Sequence, residues 1–509
     1  MSDHPTEAAP PRRPALHKAL DEAERLLGAD RVLRTAPDAD RPGPLGPNTS
    51  LFRQRRVAAV IRPATADQVP ELVALFGRDP DSGSLHVIST GRNWGLGSGE
   101  PAQDDTVVLD LGGLDRVRAF DLEAGWAVVE PGVTQGQLSE LLDGTSRMVN
   151  VTSSAAATSI LGNALDRGVG LRRQRTEDLA GLEVALPDGT SVRVGWWPTE
   201  NRTAPVYAPG LGPSTLPLFV QSNLGAVTAA VVRLPVRPEA LRVVRLTFTH
   251  DVLADATTAI RRWVAQGLVD GVPRIFDPLA GRAYGAPDGE FLVHLPVDGT
   301  AESVAALTGL LTAEAGRTGL FTGVSDTKTE GADGAEGAAD GAEGADARES
   351  ARLVERGYTG DPDVSDAIFQ AKMGVTADHV DDSAGFLFFL PLLPFTGEAV
   401  AHADALLRRA GEETGVRPSA TLHILGPDLV DCVVAVKFPR DADSAGRAHR
   451  ALDLLHTSFA EAGYAPYRLD IDHAEWREAF ASDPGEVALT RRLKTLIDPN
   501  NAIAAGRYR

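Results

Sequence analysis

Apolar and polar positions alternate over short distances along the chain, which predicts many short strands and helices. Apolar residues recur at helical spacing in "ALHKALDEAERLLG", and Gly28 suits the end of that helix. In "VAAVIRPATADQVPELVALF" a short strand meets Pro63, and Thr65 is a suitable N-cap for a helix over about 66–77. The first 150 residues therefore predict strands alternating with helices, an α+β or α/β pattern.

The middle of the chain is rich in strand patterns. The alternation in "LEVALPDGTSVRVG" predicts a hairpin that turns at Asp188-Gly189, and "GAVTAAVVRLPVRP" predicts one more strand. From about residue 241, longer patterns such as "LRVVRLTFTH", "VLADATTAIRRWVAQG" and "GFLFFLPLLPF" predict a second domain. Within it, a near-repeat of Gly, Ala and acidic residues lacks the side chains of a core, which predicts a disordered acidic insertion at 327–350.

Length, charge and cysteine content narrow the classes of function. A chain of 509 residues exceeds one compact core, so two or three domains are expected. The formal net charge of −20 argues against nucleic acid and anionic membranes as partners, because both favour a basic face. The single cysteine, Cys432, excludes an intrachain disulfide and a cysteine-based metal cluster, and no metal site is predicted. Without a signal-peptide pattern or an apolar run of about 18 residues, we expect a cytoplasmic protein with no membrane partner.

The glycine-rich stretch "ISTGRNWGLGSGEP" (88–101) lies between two apolar strand patterns. Its glycines suit either a tight turn or a nest of backbone N–H groups that holds an anion. The stretch lacks the Gly-Lys-Ser/Thr of a P-loop, and it does not open a long helix as the dinucleotide fingerprint does. Glycine spacing alone leaves both interpretations open.

Six motifs in a fixed order change this picture. They are "RPATADQVPELVALF", "TGRNWGLGSG", "VVLDLGGLDRV", "AVVEPGVTQGQLSELL", "GNALDRGVGLRRQRTEDLAGLEVALPDG" and "LKTLIDPNNAIAAGRY". The series resembles the vanillyl-alcohol oxidase / p-cresol methylhydroxylase flavoprotein superfamily over roughly residues 55–235 and 460–509. "SILGNALDRGVG", "FVQSNLGAVT" and "LFFLP" look like landmarks of its 4-alkylphenol oxidase branch.

The resemblance implies an α+β fold in which both chain ends build a p-cresol methylhydroxylase-type FAD-binding domain. An α+β cap domain with an antiparallel sheet then covers the flavin and holds the substrate. The implied boundaries are an N-terminal tail and helix at 1–50, the FAD-binding domain at 51–240, the cap at 241–460 and a C-terminal return to the FAD-binding domain at 461–509.

The resemblance also implies which residues hold FAD. Backbone N–H groups of the glycine-rich stretch are expected at the diphosphate. The implied FAD contacts are Ser89, Thr90, Gly91, Arg92, Asn93, Trp94, Gly95, Leu96, Gly97, Ser154, Ser159, Gly162, Asn163, Val184 and Arg507.

The chain departs from the family pattern at positions that carry chemistry. Where several members attach FAD through a histidine, this chain has Phe386, so we predict a non-covalent flavin. Tyr467 and Arg468 match a tyrosine and an arginine that hold a phenolate, and they are the predicted catalytic pair. Two expected tyrosines and an acidic residue fall instead on apolar or neutral residues, which leaves no obvious general base: Leu96, Leu171 and Ser154.

Two further features leave alternatives open. Arg172 and Arg173 follow directly after Leu171, and together with Arg175 they form either a solvated surface face or a group that holds an anionic substrate such as a carboxylate. His423 alternates with apolar residues on a predicted strand, where it is either structural or an acid/base group lining the cavity. The predicted substrate contacts are Leu96, Leu171, Arg172, Phe386 and His423.

The expected activity is that of an FAD-dependent oxidase or dehydrogenase of secondary metabolism. A hydride would pass from a small phenolic or carboxylate-bearing substrate to flavin N5, and oxygen or another acceptor would reoxidise the flavin. One alternative is a hydroxy-acid, sugar or alcohol oxidase of the same superfamily. Another is a redox-inactive flavin-binding partner protein. Phenol oxidases of this type form dimers or larger assemblies, so a homodimer is expected.

Overall fold

The computed structural model describes residues 14–36, 39–42, 48–199, 205–328, 353–377, 385–481 and 483–508. The predicted acidic insertion lies outside the described residues except for its first two positions, and the predicted N-terminal tail lies outside them up to residue 13. Helix α1, Pro14–Leu27, confirms the first predicted helix.

The first sheet contains a parallel core. Its order is β1-β2-β4-β3, with β2 and β3 parallel to β4 and β1 antiparallel to β2. Its strands are β1 Val32–Arg34, β2 Val57–Ile61, β3 Leu85–Ile88 and β4 Thr106–Asp110. Thr65 forms a capping box with Gln68 ahead of helix α2, Val69–Gly77, which confirms the predicted cap. The glycine-rich stretch leaves the carboxyl end of β3, where open sheets with parallel strands commonly bind ligands.

The second sheet is antiparallel, in the order β5-β6-β9-β7-β8. Its strands are β5 Val117–Asp121, β6 Trp126–Val129, β7 Leu179–Ala185, β8 Ser191–Gly195 and β9 Ala226–Arg233. Gly189 has a φ of +87° between β7 and β8, which confirms the predicted hairpin turn. Two short helices, α3 Gln135–Leu141 and α4 Ile160–Leu165, lie between β6 and β7 in the chain.

The third sheet is the largest among the described residues, with eight strands in the order β13-β10-β12-β11-β15-β16-β14-β17. The strands are β10 Ala240–Phe248, β11 Arg274–Phe276, β12 Phe291–Gly299, β13 Gly323–Asp326, β14 Gly385–Pro394, β15 Ser419–Ile424, β16 Leu429–Phe438 and β17 Pro466–Arg468. All its pairings are antiparallel, so the predicted antiparallel sheet is confirmed.

Helices cover one face of the third sheet. The helices of this region are α5 Leu253–Ala265, α6 Pro278–Gly281, α7 Ala301–Thr318, α8 Asp363–Met373, α9 Gly397–Thr414 and α10 Ala442–Glu461. Apolar residues of α5, α7, α9 and α10 form one core with alternate residues of the strands, including Cys432, Val434 and Val436. Because side chains alternate across a strand, the intervening residues of β16 point to the opposite face.

The C-terminal segment divides its contacts between two sheets. β17 adds an edge strand to the third sheet beside β14. After α11 Trp476–Ala479 and α12 Pro484–Ile497, the chain returns to the first sheet, where Leu85 exchanges backbone hydrogen bonds with Ala502 and Ala504. Across the described residues, no helix combines the length and apolarity needed to cross a bilayer.

Candidate active site

A cavity of about 630 Å³ lies where the glycine-rich stretch, the helix α4 region and the third sheet meet. Its volume falls within the usual range for cofactor and ligand sites. The free face of the third sheet forms one wall, because alternate residues of β14, β15 and β16 line the cavity. These residues are Phe386, Phe388, Leu390, Ser419, Thr421, His423, Asp431, Val433, Ala435 and Lys437.

Strand register sets the order of the charged groups on this wall. Arg274 of β11 pairs with His423 of β15, and His423 pairs with Asp431 of β16. The three side chains therefore form one cross-strand row. Since neighbouring strands lie about 4.8 Å apart, Arg274 and Asp431 start roughly 10 Å apart on the sheet.

The wall opposite the third sheet suits FAD. Gly91 has a φ of +67°. Thr90 and Gly91 line the cavity, and their backbone N–H groups donate to no other described residue. A Cβ at Gly162 would lie 2.2 Å from Oγ of Ser89, so the contact between α4 and the loop needs glycine there.

Two more side chains that line the cavity carry polar atoms with no partner in the described part of the chain. Among the described residues, Oδ1 of Asn163 and Nη1 of Arg507 lack a hydrogen-bond partner. A wall that combines backbone donors, an amide oxygen and a guanidinium matches the diphosphate and polar groups of FAD. FAD, when bound, would supply a hydride acceptor at its flavin ring.

Most of the FAD contacts expected from the sequence line this cavity. They are Ser89, Thr90, Gly91, Arg92, Asn93, Trp94, Ser154, Ser159, Gly162, Asn163 and Arg507. Ser159 caps α4: its Oγ accepts from the N–H of Gly162 at 2.9 Å and donates to the carbonyl of Pro131 at 2.6 Å. Ser154, at the position of the expected acid, hydrogen-bonds through its Oγ to Thr152 and Thr158.

Four expected FAD contacts are absent from the cavity lining: Gly95, Leu96, Gly97 and Val184. Leu96 is 1% exposed, and its carbonyl accepts from the N–H of Ile471 at 3.1 Å. A Cβ at Gly95 would lie 2.3 Å from the Phe388 ring, so glycine lets this cavity-lining ring pack on the loop. Val184 is fully buried in the core around the second sheet. The sequence pattern does not distinguish the loop residues that face the cavity from the loop residues that pack into the protein core.

Leu171 and Arg172 also lie outside the lining. Leu171 packs in the core around the second sheet, and Arg172 forms an ion pair with Asp298 of β12. Arg173 pairs with Asp178 at 2.7 Å, and the buried Arg175 donates to the carbonyl of Asn150. These arginines are held by internal partners, so they form neither a solvated face nor an anion site within the cavity.

Tyr467 and Arg468 do line the cavity, and Asp166 fixes the arginine. Nη2 of Arg468 donates to Oδ2 of Asp166 at 2.5 Å. The same carboxylate accepts from Nδ2 of Asn93 at 2.6 Å and from the Tyr508 hydroxyl at 3.2 Å. Burial alone would lower the pKa of Arg468, yet Asp166 and Tyr467 outweigh it and raise that pKa. Nε of Arg468 has no acceptor among the described residues, so it retains a donor for a ligand.

Asp431 places a carboxyl group in the cavity, although the acidic residue expected from the sequence is Ser154 in this chain. Its side chain is fully buried and lines the cavity, and neither oxygen meets a well-formed hydrogen-bond donor among the described residues. Burial raises the pKa of Asp431 to about 7, although Arg468, Tyr467 and Arg274 oppose the shift. A carboxyl group with this pKa can accept a proton near neutral pH. Burial, followed by the charge of Asp431, raises the pKa of Tyr467, which stays protonated.

His423 and Phe386 line the cavity as expected. Nδ1 of His423 lies 3.4 Å from Oδ2 of Asp431, and burial followed by the charges of Arg274 and Lys372 lowers its pKa well below the usual range. His423 is therefore neutral, and the contact is not an ion pair. Phe386 is 3% exposed, with its ring centroid 6.3 Å from that of Trp94.

Asp166, Asp431 and Arg274 were missed by the sequence analysis. A signal existed for Asp431, because "LVDCVVAV" places one acidic residue in an apolar strand, and such a residue needs a reason to be buried. Asp166 stands in a helix-end context in "GNALDRGVG" with no local sign of its distant partners. Arg274 begins a three-residue strand, too short to show periodicity.

Comparisons with known proteins agree with this geometry. A family model described as an FAD binding domain matches residues 57–195. The chain is 28% identical to 1'-carboxy-chondrochloren decarboxylase of Chondromyces crocatus, over 95% of this chain and 97% of that protein. It is 26% identical to the flavoprotein subunit of 4-cresol dehydrogenase [hydroxylating] of Pseudomonas putida, over 96% and 95%.

A solved structure extends the agreement to the whole fold. The 4-ethylphenol oxidase of Gulosibacter chungangensis, in its isoeugenol complex, superposes with a TM-score of 0.83 at 22% identity, covering 99% of this chain and 98% of that one. The chain therefore contains an FAD binding domain, is similar over nearly its whole length to the flavoprotein subunit of 4-cresol dehydrogenase, and shares the fold of the 4-ethylphenol oxidase.

Proposed function

We propose that the chain oxidises a small para-substituted phenol by removing a hydride from the carbon next to the ring. The observation that carries the proposal is the convergence of Asp431, Tyr467 and Arg468 on one wall of the cavity that suits FAD. Relatives named for 4-cresol and 4-ethylphenol support a phenolic substrate. Another relative is named as a decarboxylase of a carboxylated compound, which supports a substrate that also carries a carboxylate.

Each of the three residues has a distinct part in this proposal. The ionised carboxylate of Asp431 takes the proton of the phenol hydroxyl, which its pKa of about 7 permits. The phenolate oxygen then accepts from the free Nε of Arg468 and from the hydroxyl of Tyr467. The charge on that oxygen weakens the C–H bond of the para substituent next to the ring, and FAD, if bound, would supply the acceptor for the hydride that leaves.

The buried wall also serves the reaction by excluding water. Phe386, Phe388 and Val433 give it an apolar surface between the polar groups. A dry surface strengthens the interactions of Arg468 with a phenolate and protects an oxidised substrate from adventitious hydrolysis. Asp431 is therefore the base for phenol oxidation in this proposal. Leu96, Leu171 and Ser154 stand where the resemblance implies two tyrosines and an acidic residue.

Anaerobic mixing of the FAD-loaded protein with matched compounds tests the proposal. 4-Ethylphenol is expected to bleach the flavin absorbance, whereas 4-ethylanisole, which has no ionisable hydroxyl, is expected to leave it unchanged. D-Lactate serves as a hydroxy-acid comparison and is also expected to leave it unchanged. Bleaching by 4-ethylanisole or lactate, but not by the phenol, would overturn the proposal.

A further inference from the structure

Another part of the cavity carries positive charge that the phenol chemistry does not use. Arg274 of β11, Lys372 of α8 and Lys437 of β16 all line the cavity. Within the described part of the chain, none of the three forms an ion pair with a carboxylate. Arg468 differs, since Asp166 neutralises it. The chain as a whole carries a net charge of −20, so a cationic cavity wall is contrary to its overall composition.

Arg274 has hydrogen-bonding groups that no described residue uses. The side chain is 98% buried, given an exposure of 2%. Its Nη1 donates to Oγ of Ser153, which also lines the cavity, while Nε and Nη2 have no acceptor among the described residues. Burying a guanidinium with two unused donors is costly, and the planar fork that Nε and Nη2 form matches the two oxygens of a carboxylate.

Lys372 brings a second charge to the same region. Its Nζ lies 4.9 Å from the ring centroid of Tyr284. Burial would raise the pKa of Tyr284, yet Lys372 and Arg274 outweigh it and lower that pKa. The same two cations, after burial, contribute to the low pKa values of His294 and His423, so both histidines are neutral. The positive potential around Arg274 is therefore strong enough to act on several neighbours.

We propose that Arg274 and Lys372 form a subsite that binds a carboxylate on the substrate, with Ser153 orienting the guanidinium. This inference rests on the proposed function, because it adds a second anchor for the same substrate. Arg274 starts roughly 10 Å along the sheet from Asp431. That spacing suits a phenol whose para side chain ends in a carboxylate: the hydroxyl lies at Asp431 and the carboxylate at Arg274. Lysine adds long-range attraction, and the arginine fork fixes the orientation.

Three probes separate the two anchors in binding measurements on the FAD-loaded protein. 3-(4-Hydroxyphenyl)propionate has both groups, 4-propylphenol has only the hydroxyl, and 3-phenylpropionate has only the carboxylate. For 3-phenylpropionate the dissociation constant comes from calorimetry and from perturbation of the flavin spectrum. For the two phenols it comes from the concentration dependence of anaerobic flavin reduction, or of the spectral perturbation where no reduction occurs. The hydroxyphenylpropionate is expected to bind at least tenfold more tightly than 4-propylphenol, and 3-phenylpropionate is expected to bind measurably.

Variants then assign the effect to residues. Arg274→Gln should weaken both carboxylates at least tenfold and leave 4-propylphenol within twofold, and Lys372→Met should weaken the carboxylates less. Arg245→Gln is the matched control, because Arg245 is a buried arginine of the same sheet, 5% exposed, that does not line the cavity. If Arg274→Gln does not retain FAD, the partly exposed Lys372 carries the test.

Each outcome bears on the proposal. Equal affinity of the wild type for 4-propylphenol and its carboxylate analogue overturns the subsite, as does a loss in Arg274→Gln that is equal for all three probes. If 3-phenylpropionate binds in a manner that depends on Arg274 while no phenol bleaches the flavin, the subsite stands and the phenol oxidation fails.

Discussion

The carboxylate of Asp166 holds Arg468 at 2.5 Å while it also accepts from Asn93 and Tyr508. These partners come from the glycine-rich loop, the third sheet and the C-terminus, so one carboxylate ties together three separate parts of the chain. The side chains of Arg468 and Asp166 are 10% and 16% exposed, and the pair is therefore screened little by solvent. Asp166 is thus a positioning residue for the arginine proposed to bind the phenolate.

Replacing Asp166 by Asn keeps its shape and removes its charge. The variant is expected to lose about 3 kcal/mol of unfolding free energy, because the guanidinium of Arg468 is left buried without a counter-charge. Chemical denaturation of the single variants and of the Asp166→Asn/Arg468→Met double variant measures the coupling. The double variant should lose less than the sum of the two single losses. Additive losses would mean that the ion pair contributes nothing beyond its separate parts. Asp188→Asn, at the exposed hairpin, is the control and should be neutral.

The sequence predicted those features whose conformation is set by residues close to them in the chain. The capping box at Thr65, the hairpin at Asp188-Gly189 and the α+β class all follow from local preferences and period, and the structure confirms them. The glycine-rich stretch was predicted to hold FAD because a series of short motifs occurs in a fixed order, and that assignment stays a prediction.

Residues that act through distant partners could not be identified in that way. Asp166 and Arg468 are 302 positions apart, and nothing near either one signals the other. Leu171 and Arg172 were predicted to contact the substrate, but Leu171 packs in a core and Arg172 pairs with Asp298. The local backbone direction decides whether a side chain faces a cavity or a core. Where the sequence departs from the family motif, the position of a residue in the motif does not predict which way its side chain points.

The pKa of Asp431 makes a prediction about activity against pH. The rate of flavin reduction by 4-ethylphenol should rise through about pH 7 in the wild type, as the carboxyl group loses its proton. Asp431→Asn should lower the rate by roughly 10²- to 10⁴-fold and remove that limb of the profile. Asp270→Asn is the matched control, since burial also raises the pKa of Asp270 but its side chain does not line the cavity. An unchanged profile in Asp431→Asn would exclude Asp431 as the base.

The same carboxyl group makes a separate prediction about stability. Its folded-state pKa lies above the ordinary value for Asp, so its favourable contribution is fully present below about pH 4 and is lost as the pH rises through about 7. At pH 8 the wild type therefore contains an unfavourable buried charge near His423 and Tyr467. Asp431→Asn should be similar in stability to wild type at pH 4 and more stable at pH 8, by on the order of 4 kcal/mol. Equal stability at both values would contradict the raised pKa.

Phe386 predicts that the flavin is not covalently bound at that position. Its phenyl ring packs against Trp94 and Phe388 on the cavity wall and has no nucleophilic atom. Precipitation of the yellow protein with acid is expected to release the flavin into the supernatant, as measured by absorbance and mass spectrometry of both fractions. A flavoprotein with a known covalent linkage provides the positive control. Flavin that stays with the washed pellet would show attachment through another residue.

Gly95 tests whether the packing behind the loop controls the cofactor site. A Cβ there would lie 2.3 Å from the ring of Phe388, which lines the cavity, and Gly95 is buried, so the ring must shift. Gly95→Ala is expected to lose about 1–3 kcal/mol of unfolding free energy from overpacking and to bind FAD at least tenfold more weakly.

Gly113→Ala is the matched control, since a Cβ at Gly113 would meet no atom within 4 Å. Fluorescence titration of the FAD-free proteins with FAD compares the two variants. Wild-type affinity in Gly95→Ala would mean that FAD binding does not depend on the packing of Phe388 against the loop.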